Sequence, residues 1–600
     1  MHCRLAAVLA LAAVGSTQTP PKAPVLEREL VLREGRSTCL AWSADGRWLA
    51  SGGECGEVLV VDATHGAVRH ELPTGSGGIA RVEFTPDGRS LVALGEELVL
   101  WDLTTGEELE RLRDRGPTAL AMSRDGQWLA VATANDRVRI RRVADLSAEA
   151  DLRIKGGTGI DALAFSPDGA QLAVGTRSGT TRVFSLATGT ASHGHDEAGA
   201  VQSLAWLDDG RLLRLHQEPA SLFGWADGQE PLSTGNLGFS VDPSGRLLVS
   251  WDAEKVQIQR NGGAPSELLG AGPCAVHSDG STWARAMHGG VALYRGAEQS
   301  RTLPLRHRAK PMAVVVVGDG KHVAASAGVR PTVFRLGDGQ AVVWPEPLLH
   351  GLPIQVPGVT ELVVWTPGVP DRNGNAPGEL TFWSLAAVAK GMVKPVRNVA
   401  LPEMPLPGSG LAVPQFGADG RHFALRGSIF DSYEPKEGAW SVAFGAGAQV
   451  LPLPGGNSAL VLEWINGLWW FHLQVAHSRA PEGGREPLQT YSVAKAAALD
   501  PTGARLCVLD KSGFQICQVE PWQVTAQVSG EWLGFAWLDA HRVLALTSRG
   551  GVQIVPLDGS APSAPLQLPG EGWTFGSASG NRAVLWRQDG TIAVVQVDAR

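Results

Sequence analysis

Asp371, Asn373 and Asn375 alternate with single residues inside Pro367–Pro377 (PGVPDRNGNAP), and they offer oxygen donors at calcium-loop spacing. A hard cation takes about six to eight such oxygens. The acidic twelfth position of a helix–loop–helix calcium site is missing, although Glu379 lies beyond, and Gly374 and Gly378 suit a plain solvated turn equally well. His193-Gly194-His195-Asp196-Glu197 has the composition of a transition-metal ligand set. Cys507 and Cys517 flank Asp510-Lys511-Ser512-Gly513, a turn, so the two sulfurs are a disulfide candidate across a hairpin or else two buried free thiols. Arg137, Arg139 and Arg141 alternate along an expected strand, which puts them on one face suited either to an anionic partner or to water. Trp464, Trp469 and Trp470 cluster as binding anchors or as packing indoles.

Signatures of catalysis are absent where spacing alone would reveal them. There is no Gly-x-Ser-x-Gly elbow, no phosphate-binding loop and no CxxC pair, and His70-Glu71 is followed by Thr74 rather than a second histidine. No catalytic residues, cofactor-binding residues or cofactors are therefore expected. A net charge of −8 disfavours nucleic acid as a partner. Apolar residues at 44% exclude a wholly disordered chain, and the lack of a glycine at every third position excludes collagen.

The elements that must position these residues come from a repeat. Thr38–Ala63 (TCLAWSADGRWLASGGECGEVLVVDA), Ile79–Leu103, Thr118–Val143 and Ile160–Leu186 share one layout. An apolar strand leads to a Ser/Thr-x-Asp-Gly turn, then a second strand, a Gly- or Asn-containing turn and a third strand. Asp-Gly favours a tight hairpin because glycine accepts positive φ while the aspartate binds nearby backbone. Turn anchors recur at Asp45, Asp87, Asp125, Asp168, Asp209, Ser244, Asp279 and Asp319, then at Asp419, Thr502, Asp539 and near Gly580. With Glu361–Leu385 and Ser458–Leu473 filling the gaps, they make about fourteen units of roughly 40 residues.

Trp101-Asp102 and Trp251-Asp252 close two of these third strands, and Phe184-Ser185, Tyr294-Arg295, Phe334-Arg335 and Trp383-Ser384 keep the aromatic there. On these residues the chain resembles the WD-repeat β-propeller family over 25–345 and less so afterwards. The family's Gly-His dipeptide is clear at Gly194-His195, which implies a structural role for His195; its buried hydrogen-bond chain is not expected in most other repeats. Asp102–Glu107 is also similar to a turn of quinone-cofactor dehydrogenase propellers, but their docking tryptophan is replaced by Leu109.

The resemblance implies an all-β fold: two tandem seven-bladed β-propellers of four-stranded antiparallel blades. The first ring is expected over 25–297 and a more degenerate second over 298–600, with the boundary near Gly296–Ser300. Glu27–Arg33 reads as a fourth strand completing the last blade of the first ring, and Arg301–Leu305 as its counterpart for the second. Thr591–Val597 is a third strand with no fourth after it. Insertions at Pro367–Pro377, Gly427–Gly438 and Ser478–Pro487 interrupt the later repeats, where loops carry binding more often than strands do.

Met1–Arg4, the apolar run Leu5–Val14 and the small residues Gly15-Ser16 have the layout of a secretory signal, residues 1–16, with cleavage near 16–24. No later stretch reaches 18 uninterrupted apolar residues, so no membrane span is expected after its removal. The expectation is an exported protein of bacterial type, periplasmic or extracellular and monomeric. It would be a non-catalytic platform binding unknown protein partners on its loop faces. The alternatives are a propeller hydrolase or quinone-type oxidoreductase with dispersed residues on a ring axis, and a sensor of a small ligand or glycan.

Overall fold

The computed structural model describes residues 20–600 except 34, 76, 114–115, 155–158, 197–198, 218–220, 224–231, 234–237, 261–264, 288, 328–330, 343–350, 367–377, 391–393, 401–413, 426–427, 432–439, 442–448, 455–457, 466–469, 478–484, 493–494, 559 and 598–600. The described residues form fourteen sheets, thirteen four-stranded and one three-stranded, with one helical turn at Leu385–Val388. Every ladder is antiparallel and nearly every sheet runs in chain order, as repeated hairpins require. The expectation of an all-β chain built from four-stranded antiparallel blades therefore holds.

The first blade shows why these sequences make blades. Its strands are Ser37–Trp42, Trp48–Gly53, Glu57–Asp62 and Val68–Pro73. The two middle strands are buried almost throughout, because neighbouring blades cover both faces of the sheet; they read as continuous apolar runs rather than alternating ones. Only the outermost strand alternates toward water.

The turn between the first two strands explains the repeat's Ser/Thr-x-Asp-Gly signature. Asp45 Oδ1 accepts the Ser43 hydroxyl at 2.6 Å and the Arg47 N–H at 3.0 Å, while Trp48 N–H donates to Ser43 Oγ at 2.9 Å. Gly46 stands at φ 70°, where a side chain would be strained. Thr85–Asp87, Ser123–Asp125 and Ser166–Asp168 repeat the arrangement. Two later anchors, Ser244 and Thr502, reverse it: the buried Asp242 and Asp500 take the first position and accept from the hydroxyl two residues on.

The chain divides into two compact units. The first holds Arg33–Lys310 together with Gln588–Gly590; the second holds the chain up to Leu32, Pro311–Arg587 and Thr591–Arg600. In the first unit the innermost strands of seven sheets neighbour one another in turn, and Ser37–Trp42 packs back against Cys274–Val276, closing a ring. Trp42 Nε1 seals that junction by donating to Ala275 O at 3.1 Å. In the second unit seven sheets also follow one another, with Ala313–Val316 packed on Thr574–Ser579 and Val316 N–H donating to Ser577 Oγ at 2.8 Å.

Strand assignment at the closures differs from expectation. Val25–Val31 pairs with Thr591–Gln596 and so completes the last blade of the second unit, not of the first. Glu298–Leu303 does not serve the second unit; it folds back on Gly290–Arg295 through the turn at Gly296 and is the outer strand of the first unit's last blade. The division falls at Lys310/Pro311, rather than at 297/298. The physical reason lies in edges. Residues 298–303 follow their partner through a tight hairpin and pair locally, whereas the outer flank of Thr591–Gln596 is an open edge that Val25–Val31 covers.

Candidate functional site

Among the described residues, those expected to do chemistry are not brought together. Asp371, Asn373 and Asn375 lie outside the described residues, as do 432–439 and 478–484 of the other two insertions. Cys507 and Cys517 form no disulfide. Cys507 pairs in register with Ile516 and Leu506 with Cys517, so the two cysteines sit one position out of step. Successive strand residues face opposite ways; accordingly Cys507 packs with Phe514 and Trp532, and Cys517 with Leu453 and Leu506. Burial, with the nearby Cys517 adding to it, pushes the Cys507 thiol well above its ordinary range.

His193 and His195 fall on the outer strand Ala191–Asp196, where Asp196 pairs with Arg182 at 2.8 Å. Arg137, Arg139 and Arg141 do share a face, yet Arg137 is matched by Asp151 at 2.9 Å and Arg141 is buried, donating to Leu146 O at 2.7 Å. Trp464 and Trp470 sit on the paired strands Ser458–Ile465 and Trp470–His477, and Trp469 is outside the described residues. Leu109 stands 47% exposed on its outer strand, with no indole at that place to dock the Asp102 turn.

The structure instead assembles a polar chain inside the first blade. Ser51 Oγ lies 2.8 Å from His307 Nε2 and 2.8 Å from Ser37 Oγ. His307 Nδ1 is 3.4 Å from Glu57 Oε1, a charge contact rather than a well-aligned hydrogen bond. Arg308 supplies the stronger hold: its N–H donates to Glu57 Oε1 at 2.6 Å and its Nε lies 3.2 Å from Oε2. Burial pushes the Glu57 carboxyl up, but His307, the Arg308 N–H and Arg33 outweigh it and keep the carboxyl below its usual range. The backbone fits closely around the ring. A Cβ at Gly53 would stand 2.5 Å from His307 Nδ1, and Gly35 N–H donates to His307 O at 2.9 Å.

Serine, histidine and carboxylate in this order are the parts of a hydrolytic triad. Here Ser51 and His307 are 0% exposed and Glu57 is 4% exposed, so no substrate atom can reach the hydroxyl. The arrangement is a closure: it ties the exit of the first unit, 306–310, to its entry strand. Sequence reasoning missed it because His307 follows Arg306 rather than glycine and lies 256 residues from Ser51.

Surface chemistry of the first unit lies on the innermost strands. A β-bulge recurs at their second residue, at Thr38, Thr118, Asp161 and Gln202, and bulges re-aim side chains. Thr38 donates to Ile79 O at 2.5 Å. Asp161 takes Arg177 Nε through both oxygens, at 3.0 and 2.9 Å. Thr118 Oγ1 and Gln202 Oε1 are buried without a hydrogen-bond partner. Further along the same strands, burial raises the Glu83 carboxyl against the opposing pull of Arg81, 3.9 Å away, and pushes the Cys39 thiol up to about 11. These carboxylates are matched by guanidinium groups, and none of the side chains on these strands couples a nucleophile to a base.

Residues 30–93 match the WD40 domain family of anaphase-promoting complex subunit 4, and residues 152–185 match the WD domain, G-beta repeat family. Among curated proteins, the chain is similar to small ribosomal subunit protein RACK1 of Caenorhabditis elegans, 31% identical over 115 residues, which is 17% of this chain and 35% of that protein. It is also similar to centriole proteome protein 16 of Chlamydomonas reinhardtii, 36% identical over 113 residues, 18% of this chain and 5% of that one. The chain thus spans about a third or less of the length of these relatives. Among solved structures, the β-propeller domain of Cps50 (Swd1) from Myceliophteria thermophila aligns at 19% identity and a TM-score of 0.36, over 44% of this chain and 96% of that one. Hydrazine synthase of Kuenenia stuttgartiensis aligns at 16% identity and a TM-score of 0.39, again over 44% and 96%.

Proposed function

Since the chain is a WD-repeat β-propeller protein, we propose that it is an exported pair of seven-bladed propellers serving as a non-catalytic platform for protein partners. Its docking face is the bulged end of the first unit's innermost strands. One observation carries the reading: the Ser51–His307–Glu57 chain, which has the composition of a catalytic triad, is sealed in the core and spent on closure. What remains is a set of polar side chains re-aimed by bulges on the innermost strands, among them Asp161 with its Arg177 partner. A rigid scaffold presenting dispersed polar groups suits recognition.

Affinity capture from the envelope or medium of an exporting host tests the reading. The full chain should retain a defined protein partner, and Asp161→Arg combined with Gln202→Ala should lose it. A partner held equally by the variant would refute this docking face, and substrate turnover by the purified chain would refute the non-catalytic role. Mature protein beginning near Thr17 supports export, whereas retention of Met1 counts against it.

A further inference from the structure

The second unit contains a cleft of about 510 Å3 where the closing strand Val25–Val31 meets two turns of the neighbouring blade. Glu27, Arg582, Lys321, His322, Arg335 and Asp338 line it, with the backbone of Gly320 and Gly337. Its carboxylates are already engaged. Glu27 takes Arg582 Nε at 2.6 Å and Nη2 at 2.8 Å, and Asp338 takes Arg335 at 2.9 Å. Asp319, beside His322, accepts the Lys321 N–H at 2.8 Å and contacts His322 Nδ1 at 2.6 Å.

One lining cation is left over. Lys321 is exposed, and its ammonium has no ion-pair partner among the described residues. Arg28, outside the lining, donates Nη2 to the lining Gly337 O at 3.2 Å and adds its charge nearby. Arg335, half exposed, spends one of its donors on Asp338 and retains others for a ligand. In a chain of net charge −8, this is a local excess of positive charge in a concave site. One charge in an open cleft is strongly screened by salt, so useful affinity needs a ligand that meets several cations together.

We propose that this cleft binds a small anion with more than one negative group, of the phosphate or polycarboxylate class, and that the ligand braces the closing strand. Glu27 and Arg582 belong both to the cleft and to the sheet that Val25–Val31 completes, so occupancy and strand closure are linked.

Calorimetric titration of the full chain with pyrophosphate, and separately with citrate, at about 0.15 M sodium chloride tests the proposal. The expected result is saturable binding that Lys321→Ala weakens about tenfold and Lys321→Glu abolishes. Amide exchange across Val25–Val31 should slow when ligand is bound. Binding of only one anion supports the site and identifies the group recognised. Both substitutions are at an exposed side chain, and an unchanged circular dichroism spectrum confirms that the fold survives them. Absence of saturable binding by either anion would overturn the proposal, as would affinity unchanged in both Lys321 variants.

Discussion

Replacing His307 by alanine should open the first unit. The imidazole is fully buried between Ser51 and Glu57, with the backbone of Gly53 packed against it. Its loss strands the Ser51 hydroxyl on one side, and leaving a buried polar group unpaired costs about 1–3 kcal/mol. The vacated ring adds a cavity cost, so about 3–4 kcal/mol is expected altogether. A unit of this size loses about 2–4 °C of melting temperature per kcal/mol, giving a drop of roughly 6–16 °C. Differential scanning calorimetry of the full chain measures the drop, and amide exchange assigns it: Ser37–Trp42 and Cys274–Val276, the two sides of the closure, should lose protection first. Gly53→Ala drives a Cβ into the same ring and should weaken the same transition. His422→Ala, which removes an exposed contact to Asp419 in the second unit, should leave it alone. A loss in His307→Ala below about 1 kcal/mol, or exchange that rises in the second unit instead, would refute the closure argument.

The first unit should be acid-labile. Glu57 has a folded-state pKa below its ordinary 4.5, so its contribution is present above that value and is lost as pH falls through the lowered one; Glu57→Gln should flatten the stability profile below about pH 4.5. Cys507 and Cys517 should each react with a thiol-blocking reagent only after unfolding, and reductant should not move the melting temperature; a mass loss of two hydrogens across the pair would contradict the register. Glu27→Ala removes a part-buried, bidentate partner of Arg582 and should cost the second unit about 1 kcal/mol, read as faster amide exchange along Val25–Val31 with the first unit unchanged. A chain starting at Arg33 and ending at Lys310 should fold alone with native exchange protection, and failure to do so would refute the division at Lys310/Pro311.

The sequence alone determined the blade. Turn anchors such as Ser43–Asp45 and apolar middle strands such as Glu57–Asp62 act within a few residues of one another, so hydrogen bonding and burial are written locally. The reversed anchors at Asp242 and Asp500 kept the spacing while exchanging carboxylate and hydroxyl, and their turns remained legible for that reason. Which strand closes which unit was decided only in three dimensions. Val25–Val31 has an outer-strand pattern that suits any open edge, and it is the unpaired flank of Thr591–Gln596 that selects it. Cys507 and Cys517 illustrate the same limit on a smaller scale, because one residue of register turns a plausible bridge into two thiols on opposite faces. The Ser51–His307–Glu57 chain joins residues 256 positions apart, and no local period predicts it. Local interactions leave a periodic trace in the chain, whereas closure depends on where its distant parts meet.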